Sequence, residues 1–459
     1  MLNLKTRTRR LRFWWNLLTA YLSKYKYWIT ACVSVVLLII YLTFNLWPKI
    51  SRSNIVTIGY VGSYTLETIP TDVLKLATQS LISADKSGRP QPSLASHWSL
   101  SEDGKTYVVF IKDNLKWHDS TAIDAKDISI AISKVNITAL NNKAIEFKLQ
   151  NPISSFPLAL DKPVFKSKSF YGTGDFRIVD INKIDSTVKK ISMLPKNKDL
   201  PRVEINFYQN EQQAINALKI GEIKSATIAN GKMFEKWSNL EIEKTVDTQE
   251  VITIFYDNND PLLSSKELRQ ALSFSINKDQ FEGQSATGPI SPSSWVHNEN
   301  VKKYDYSVAK AKELLSKSEI KDPQIILTVT PGMENLAENI KKDWESIGVK
   351  TSLDFKKNVP EKFQALLAIN KLNPDPDQYG LWHSTQTQTN ITHFKNVKID
   401  KLLEDARISL DEVKRKELYL DFQKFIVEDA PATFLYHPYK YKVTYKNIKH
   451  LINKTEKPS

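Results

Sequence analysis

Only one of the 459 residues is a cysteine, Cys32. A lone thiol rules out an internal disulfide, so the fold must be held by its core. The signatures His-Glu-x-x-His, Cys-x-x-Cys, Gly-x-x-x-x-Gly-Lys-Ser/Thr and Gly-x-Ser-x-Gly do not occur. The metalloprotease, redox, nucleotide and serine-hydrolase chemistries they carry are therefore not expected. The chain is read as a non-enzyme without a cofactor. Its seven histidines are scattered, so no metal site is expected. Internal repeats and low-complexity segments are also missing.

Acidic residues are absent from the first 52 positions, which hold nine basic groups, Lys5 to Arg52. The formal charge of +13 thus falls to +4 for the remainder. The basic excess belongs to the N-terminus and is not the footprint of a nucleic-acid partner. Charge of either sign is absent from Tyr27–Trp47, 21 residues that span about 31 Å as a helix, close to the hydrocarbon thickness of a bilayer. Tyr25, Tyr27, Trp28 and Trp47 supply aromatics at its two ends. Basic residues crowd the N-terminal side, which places residues 1–26 in the cytoplasm and everything past residue 50 outside. Leu11–Leu22 can lie along the inner membrane surface. Ile29-Thr30-Ala31-Cys32 resembles a lipoprotein acylation site, but Lys24 and Lys26 break the apolar run before it and the long apolar run follows it. An uncleaved anchor is the reading taken, with residues 48–54 as a linker.

The outer part mixes strands and helices. Ile55–Tyr60, Thr106–Ile111, Ala144–Leu149, Phe176–Val179, Val203–Tyr208 and Thr253–Asn258 read as strands, and Thr106–Ile111 is apolar enough for cover on both faces. Asp103-Gly104 marks a hairpin turn and Ser87-Gly88 another turn. Helices are expected after Thr71 or Asp72 as far as Leu81, after Asp124 with Ile128, Ile132 and Val135 on one face, over Gln212–Ile220, over Glu267–Ile276, over Pro360–Ile369, and over Ile399–Ile408 and Glu412–Glu428. Gln324–Thr330, a helix ending at Gly348, and Val349–Phe355 make a β-α-β unit with parallel strands.

Residues 81–130 carry an ordered series: Gly88, Pro92, Leu94-Ala95, Trp98, Asp103-Gly104-Lys105-Thr106-Tyr107, Trp117-His118-Asp119 and Ala125-Lys126-Asp127. This series resembles the signature of the family 5 extracytoplasmic solute-binding proteins of ABC importers, the peptide/nickel-binding type. Further resemblances follow at Gly172-Thr173-Gly174, at Val203–Lys224, at Arg269-Gln270-Ala271-Leu272 and at Tyr304–Leu315. Ser120 and Lys224 depart from the pattern, which usually has glycine and aspartate there. The resemblance covers residues 55–450 and implies an α/β, two-lobed periplasmic-binding-protein-like ("Venus flytrap") fold, which the N-terminal transmembrane helix read above would precede. Lobe I would comprise residues 54–255 with 431–450 returning to it, and lobe II residues 256–430. Thr253–Asn258 would make the first crossing between them.

The resemblance further implies a membrane-anchored receptor that takes a small organic solute, a peptide above all, into its interlobe cleft. It would hand the solute to a permease driven by a separate ATPase subunit. Loop residues with aromatic bodies and polar tips are the candidates for ligand contact: Tyr60 and Tyr64 after the first strand, then Asp375, Asp377, Tyr379, Trp382, His383 and Asn390. Peptide binders of this family often hold the ligand ammonium with an aspartate at the position occupied here by Leu372, so Asp375 or Asp377 would have to replace it. A ligand-sensing or structural surface protein that keeps the fold without transport is the alternative.

Overall fold

The long strand Ala432–Tyr445 is shared by both halves of the molecule. In the computed structural model, which describes residues 14–17, 19–52 and 55–456, its first half pairs with Glu250–Tyr256 and Gly283–Ser285. Its second half pairs with Ser225–Ile228 and Leu240–Val246. The outward crossing lies beside it, in the turn Asp247–Gln249, where the Asp247 amide donates to the Pro438 carbonyl at 2.9 Å. This crossing comes earlier than the sequence suggested. Thr253–Tyr256 lies wholly inside lobe II, flanked by Ala365–Lys371 on one side and the return strand on the other.

Lobe II is a sheet in the order Lys350–Phe355, Gln324–Val329, Ala365–Lys371, Glu250–Tyr256, return strand. The first two strands are parallel and joined by the helix Glu334–Ser346, which is the expected β-α-β unit. Glu250–Tyr256 is apolar at nearly every position because helices cover both of its faces. Ile252, Ile254 and Tyr256 pack with Leu268, Leu272 and Trp344. Val251 and Phe255 pack with Trp382, Tyr419 and Phe422. Arg269, buried inside the helix Lys266–Phe274, donates to the carbonyls of Leu263, Ser264, Asp429 and Ala430 and so ties that helix to the end of Glu412–Asp429.

Lobe I centres on Ile55–Val61, parallel to Arg202–Tyr208 and Ser225–Ile228. Lobe I also holds a separate antiparallel sheet, in the order Ala95–Leu100, Thr106–Ile111, Ala144–Leu149, Val135–Asn141, with its own apolar core. The expected hairpin is present, and Gly104 takes the left-handed conformation its turn requires (φ +68°). Thr106–Ile111 buries one face only, through Tyr107, Val109 and Ile111.

Two expected helices are absent and a third is cut short. After Asp124, whose carboxylate accepts from the Lys126 amide, only the turn Ala125–Asp127 forms, and the chain then runs on to the strand Val135–Asn141. Ile128, Ile130 and Ile132 are half-buried while Ser129 and Ala131 are exposed, so a period of two prevails over a period near 3.6. The helix at Thr71 stops at Lys75, and the chain beyond it is held by other bonds: Thr78 donates to the Val164 carbonyl and Ser80 to Asp161. Residues 365–371 form a strand, a short apolar run whose periodicity alone fits either structure.

At the N-terminus a helix runs over Lys26–Arg52, so residues 48–52 of the expected linker are helical, whereas residues 53–54 lie outside the described ones. Residues 1–13 and 18 of the basic segment also lie outside them. Among the described residues no single helix is long and apolar enough to cross a membrane. The pair Trp14–Lys24 and Lys26–Ile39, bent by 72°, meets that condition only when taken together.

Three histidines, His437 buried and His118 and His297 half-buried, make stability depend on pH. Burial pushes the pKa of His118, His297 and His437 below the ordinary value of 6.5. His118 bridges Gly172 and Gly174, and His437 Nδ1 lies 2.8 Å from the Glu250 carbonyl in the crossing region. The unfolded chain binds protons more readily at these sites, so stability is full above pH 6.5 and declines as pH falls through and below it. The urea midpoint should be lower at pH 5.5 than at pH 7.5; an equal or higher midpoint would contradict this.

Candidate functional site

The two lobes face each other across a cavity of about 510 Å³. Lobe I contributes Ser155, Leu158 and Asp161 from the Pro/Ser-rich stretch around the short helix Phe156–Ala159. Lobe II contributes the end of the strand Ala365–Lys371 and the chain that follows it, Leu372 to Leu381. A second hollow of about 400 Å³ shares Asp161, Asn373 and Pro374 with the first and is lined by Asp72, Lys75 and Asp85.

The lobes touch around this space. The Ser154 amide donates to the Arg407 carbonyl at 2.8 Å, and the Trp295 amide to the Ser87 carbonyl at 3.1 Å. Arg89 pairs with Glu412 at 2.5 Å and its guanidinium lies 5.0 Å from the Trp295 ring. Gly88, at φ +86°, brings its backbone so close to the Pro374 carbonyl that a Cβ would collide with it.

Asp375 and Asp377 fold their own loop. Asp375 accepts from the Asp377 amide at 2.8 Å, and Asp377 from the Tyr379 amide at 3.0 Å. Asp375 is buried and bidentate to buried Arg415, at 2.6 and 3.1 Å. Burial raises its pKa above the ordinary carboxylate value even beside that guanidinium. It is a structural ion pair with both charges taken up. Asp377 is held more loosely, with Ser155 Oγ at 3.3 Å and Arg407 Nε at 3.4 Å. Tyr379 stacks on His383 at 4.1 Å and under the Arg407 guanidinium at 4.4 Å.

The other expected ligand residues are placed differently. Trp382 is fully buried in the lobe II core and donates from Nε1 to Gln378. A large indole gains more by packing on Phe255 and Phe434 than by facing a solvent-filled cleft. His383 is buried between Thr385 and Glu404. Asn390 is spent on the Phe394 carbonyl and the Thr392 hydroxyl. Tyr60 donates to Asp72 at 2.9 Å, so it supports the second hollow without lining it, and Tyr64 donates to the Val61 carbonyl. Leu372 lines the cavity with an apolar side chain where an acid was missed.

Asp161 was not singled out from the sequence. It pairs with Lys75 at 2.8 Å and accepts from Ser80 and from the Ala84 amide. Asn370 also lines the cavity, and its buried side-chain Nδ2 has no hydrogen-bond partner. Neither residue stands in a recognisable motif. Only the Pro/Ser-rich composition of 151–157 marked a loop near Asp161.

The family model "Bacterial extracellular solute-binding proteins, family 5" matches residues 89–390. Oligopeptide-binding protein AppA of Bacillus subtilis is 24% identical over 84% of this chain and 85% of its own length. Its structure in complex with a nonapeptide superposes with a TM-score of 0.68 at 21% identity, covering 88% of this chain and 98% of that one. The dipeptide-binding protein of Escherichia coli is 22% identical over 78% of this chain and 83% of its own. NikZ from Campylobacter jejuni, solved in complex with Ni(L-His), gives a TM-score of 0.70 at 21% identity, covering 85% and 94% of the two chains.

Proposed function

This chain belongs to the family 5 bacterial extracellular solute-binding proteins, and we propose that it is the membrane-anchored receptor of an ABC importer that captures short peptides in its interlobe cavity. The supporting observation is the 510 Å³ space walled by both lobes, Ser155 and Asp161 from one and Asn370 to Leu381 from the other. A solute that touches both walls favours the closed population and so couples binding to shape. Delivery then passes to a permease and its ATPase, and no chemical step is needed in this chain. The helix Lys26–Arg52 would hold the domain at the outer membrane surface, with residues 55–246 and 439–450 as lobe I and 250–438 as lobe II.

The ammonium of the peptide has two carboxylates to meet, Asp377 and Asp161, since Asp375 is consumed by Arg415. Asp377 is the stronger candidate because both of its side-chain partners stand beyond 3.2 Å. A charge-assisted bond of this kind contributes about 1.5–3 kcal/mol, so Asp377→Asn should weaken a free-amine peptide by roughly 10- to 100-fold and leave its N-acetylated form unchanged. Titration calorimetry of both forms reads this directly. The wider reading is checked by thermal shift against peptide pools, sugars and Ni(L-His). Stabilisation by a sugar or the nickel complex alone, with no peptide response, would sink the peptide assignment.

A further inference from the structure

Lobe II holds a cavity of its own, about 350 Å³, which shares no lining residue with the two hollows between the lobes. Its walls are the turn that follows the helix Lys266–Phe274, residues 285–287, residues 302–306 and the start of the return strand, 432–434. The volume lies within the roughly 300–1,000 Å³ range of small-ligand sites.

Lys278 lines this cavity and is half-buried. Its ammonium is turned onto two backbone carbonyls, Phe434 at 2.7 Å and Ala286 at 3.3 Å. An ammonium has three N–H donors, so one is left over. Its one anionic influence among the described residues is Asp305, an exposed residue that acts through space and not by a hydrogen bond. Burial accordingly pushes the pKa of Lys278 down to about 8. A desolvated ammonium with no carboxylate against it is costly, and an anion in the cavity would relieve that cost.

Lys302, also half-buried, lines the same cavity, with Glu428 at 3.2 Å and the rings of Phe274 and Tyr304 at 5.9 and 5.5 Å. Lys303 adds an exposed cation, and the two acids present, Asp279 and Asp305, are exposed as well. The half-buried charges lining the cavity are thus both positive, whereas the acids stay with solvent. That arrangement suits an anion.

We propose that this cavity binds a small oxyanion, a carboxylate or a tetrahedral phosphate-like group, received by the spare donor of Lys278 with Lys303 lining the same space. The site lies wholly in lobe II and does not depend on the peptide reading. Lys278 already ties the turn after Lys266–Phe274 to the return strand, so a bound anion braces that junction and stabilises the folded lobe.

The test is titration calorimetry of the full chain in detergent at constant ionic strength, with sodium acetate as the carboxylate and sodium sulfate as the tetrahedral anion. Neither anion changes its protonation between pH 7 and pH 9. The charged fraction of Lys278, with its pKa of about 8, falls roughly tenfold over that interval. Binding of at least one of the two anions to a single site is expected, about tenfold weaker at pH 9 than at pH 7. The anion bound more tightly identifies the group the site takes. Lys278→Met should abolish the binding, and Lys303→Ala, an exposed substitution, should weaken it by roughly two- to fivefold. Failure of both anions to bind at pH 7 overturns the site. Binding that is indifferent to pH in the unaltered protein, or that survives Lys278→Met, places the anion elsewhere and overturns it too. The pH comparison needs no variant that folds.

Discussion

Replacing Arg415 by alanine is expected to lower the unfolding free energy by about 3–5 kcal/mol. The substitution strands the Asp375 carboxylate, 8% exposed, without the guanidinium that now meets both of its oxygens. It also removes the Nε donor to the Ala406 carbonyl and the packing of the cation near Trp295 and Tyr419. A buried pair costs about as much to desolvate as it returns, so exchanging both partners at once for apolar residues of similar size, Asp375→Leu with Arg415→Met, should restore most of the loss. Urea denaturation of the single and double variants measures both quantities. A single variant within about 1 kcal/mol of the parent would mean that the pair is solvated and free to serve a ligand.

Trp382→Ala should cost a similar amount, about 3–5 kcal/mol, for a different reason. Its indole packs between Phe255 at 6.4 Å and Phe434 at 6.3 Å, and truncation leaves a void on the face of the lobe II sheet that carries the ligand loop. Trp382→Phe separates the two roles the residue might have had. It keeps most of the packing, so stability should fall by much less and peptide affinity should hold. A variant that folds as well as the parent and binds tenfold more weakly would return Trp382 to the ligand.

Family membership and the two-lobed plan were readable because they rest on ordered, local features: the Gly88 to Asp127 series, the Asp103-Gly104 turn and the parallel unit around Glu334–Ser346. The misreadings share a cause. Ile128 to Ile132 and Ala365 to Ile369 are short apolar runs in which two periods compete, and tertiary pairing decided the outcome. The site was harder. A sequence shows that Asp375 and Asp377 lie two positions apart, but not that one meets Arg415 while the other meets a loose Arg407 and a serine more than 200 residues away. Aromatic residues in loops were favoured as ligand contacts, yet Trp382 is core and His383 and Asn390 brace their own loop. Asp161 and Arg407 lie in no motif, and only the folded chain brings them to the cleft.

The return strand has one more consequence. Residues 432–438 close the lobe II sheet beside Glu250–Tyr256 and residues 439–445 lie between two strands of lobe I, so neither lobe possesses a complete set of strands of its own. Fraying of that one segment cuts through both hydrogen-bonded networks at once. On heating, the two halves are therefore expected to melt as a single cooperative unit, seen as one transition in a calorimetric scan.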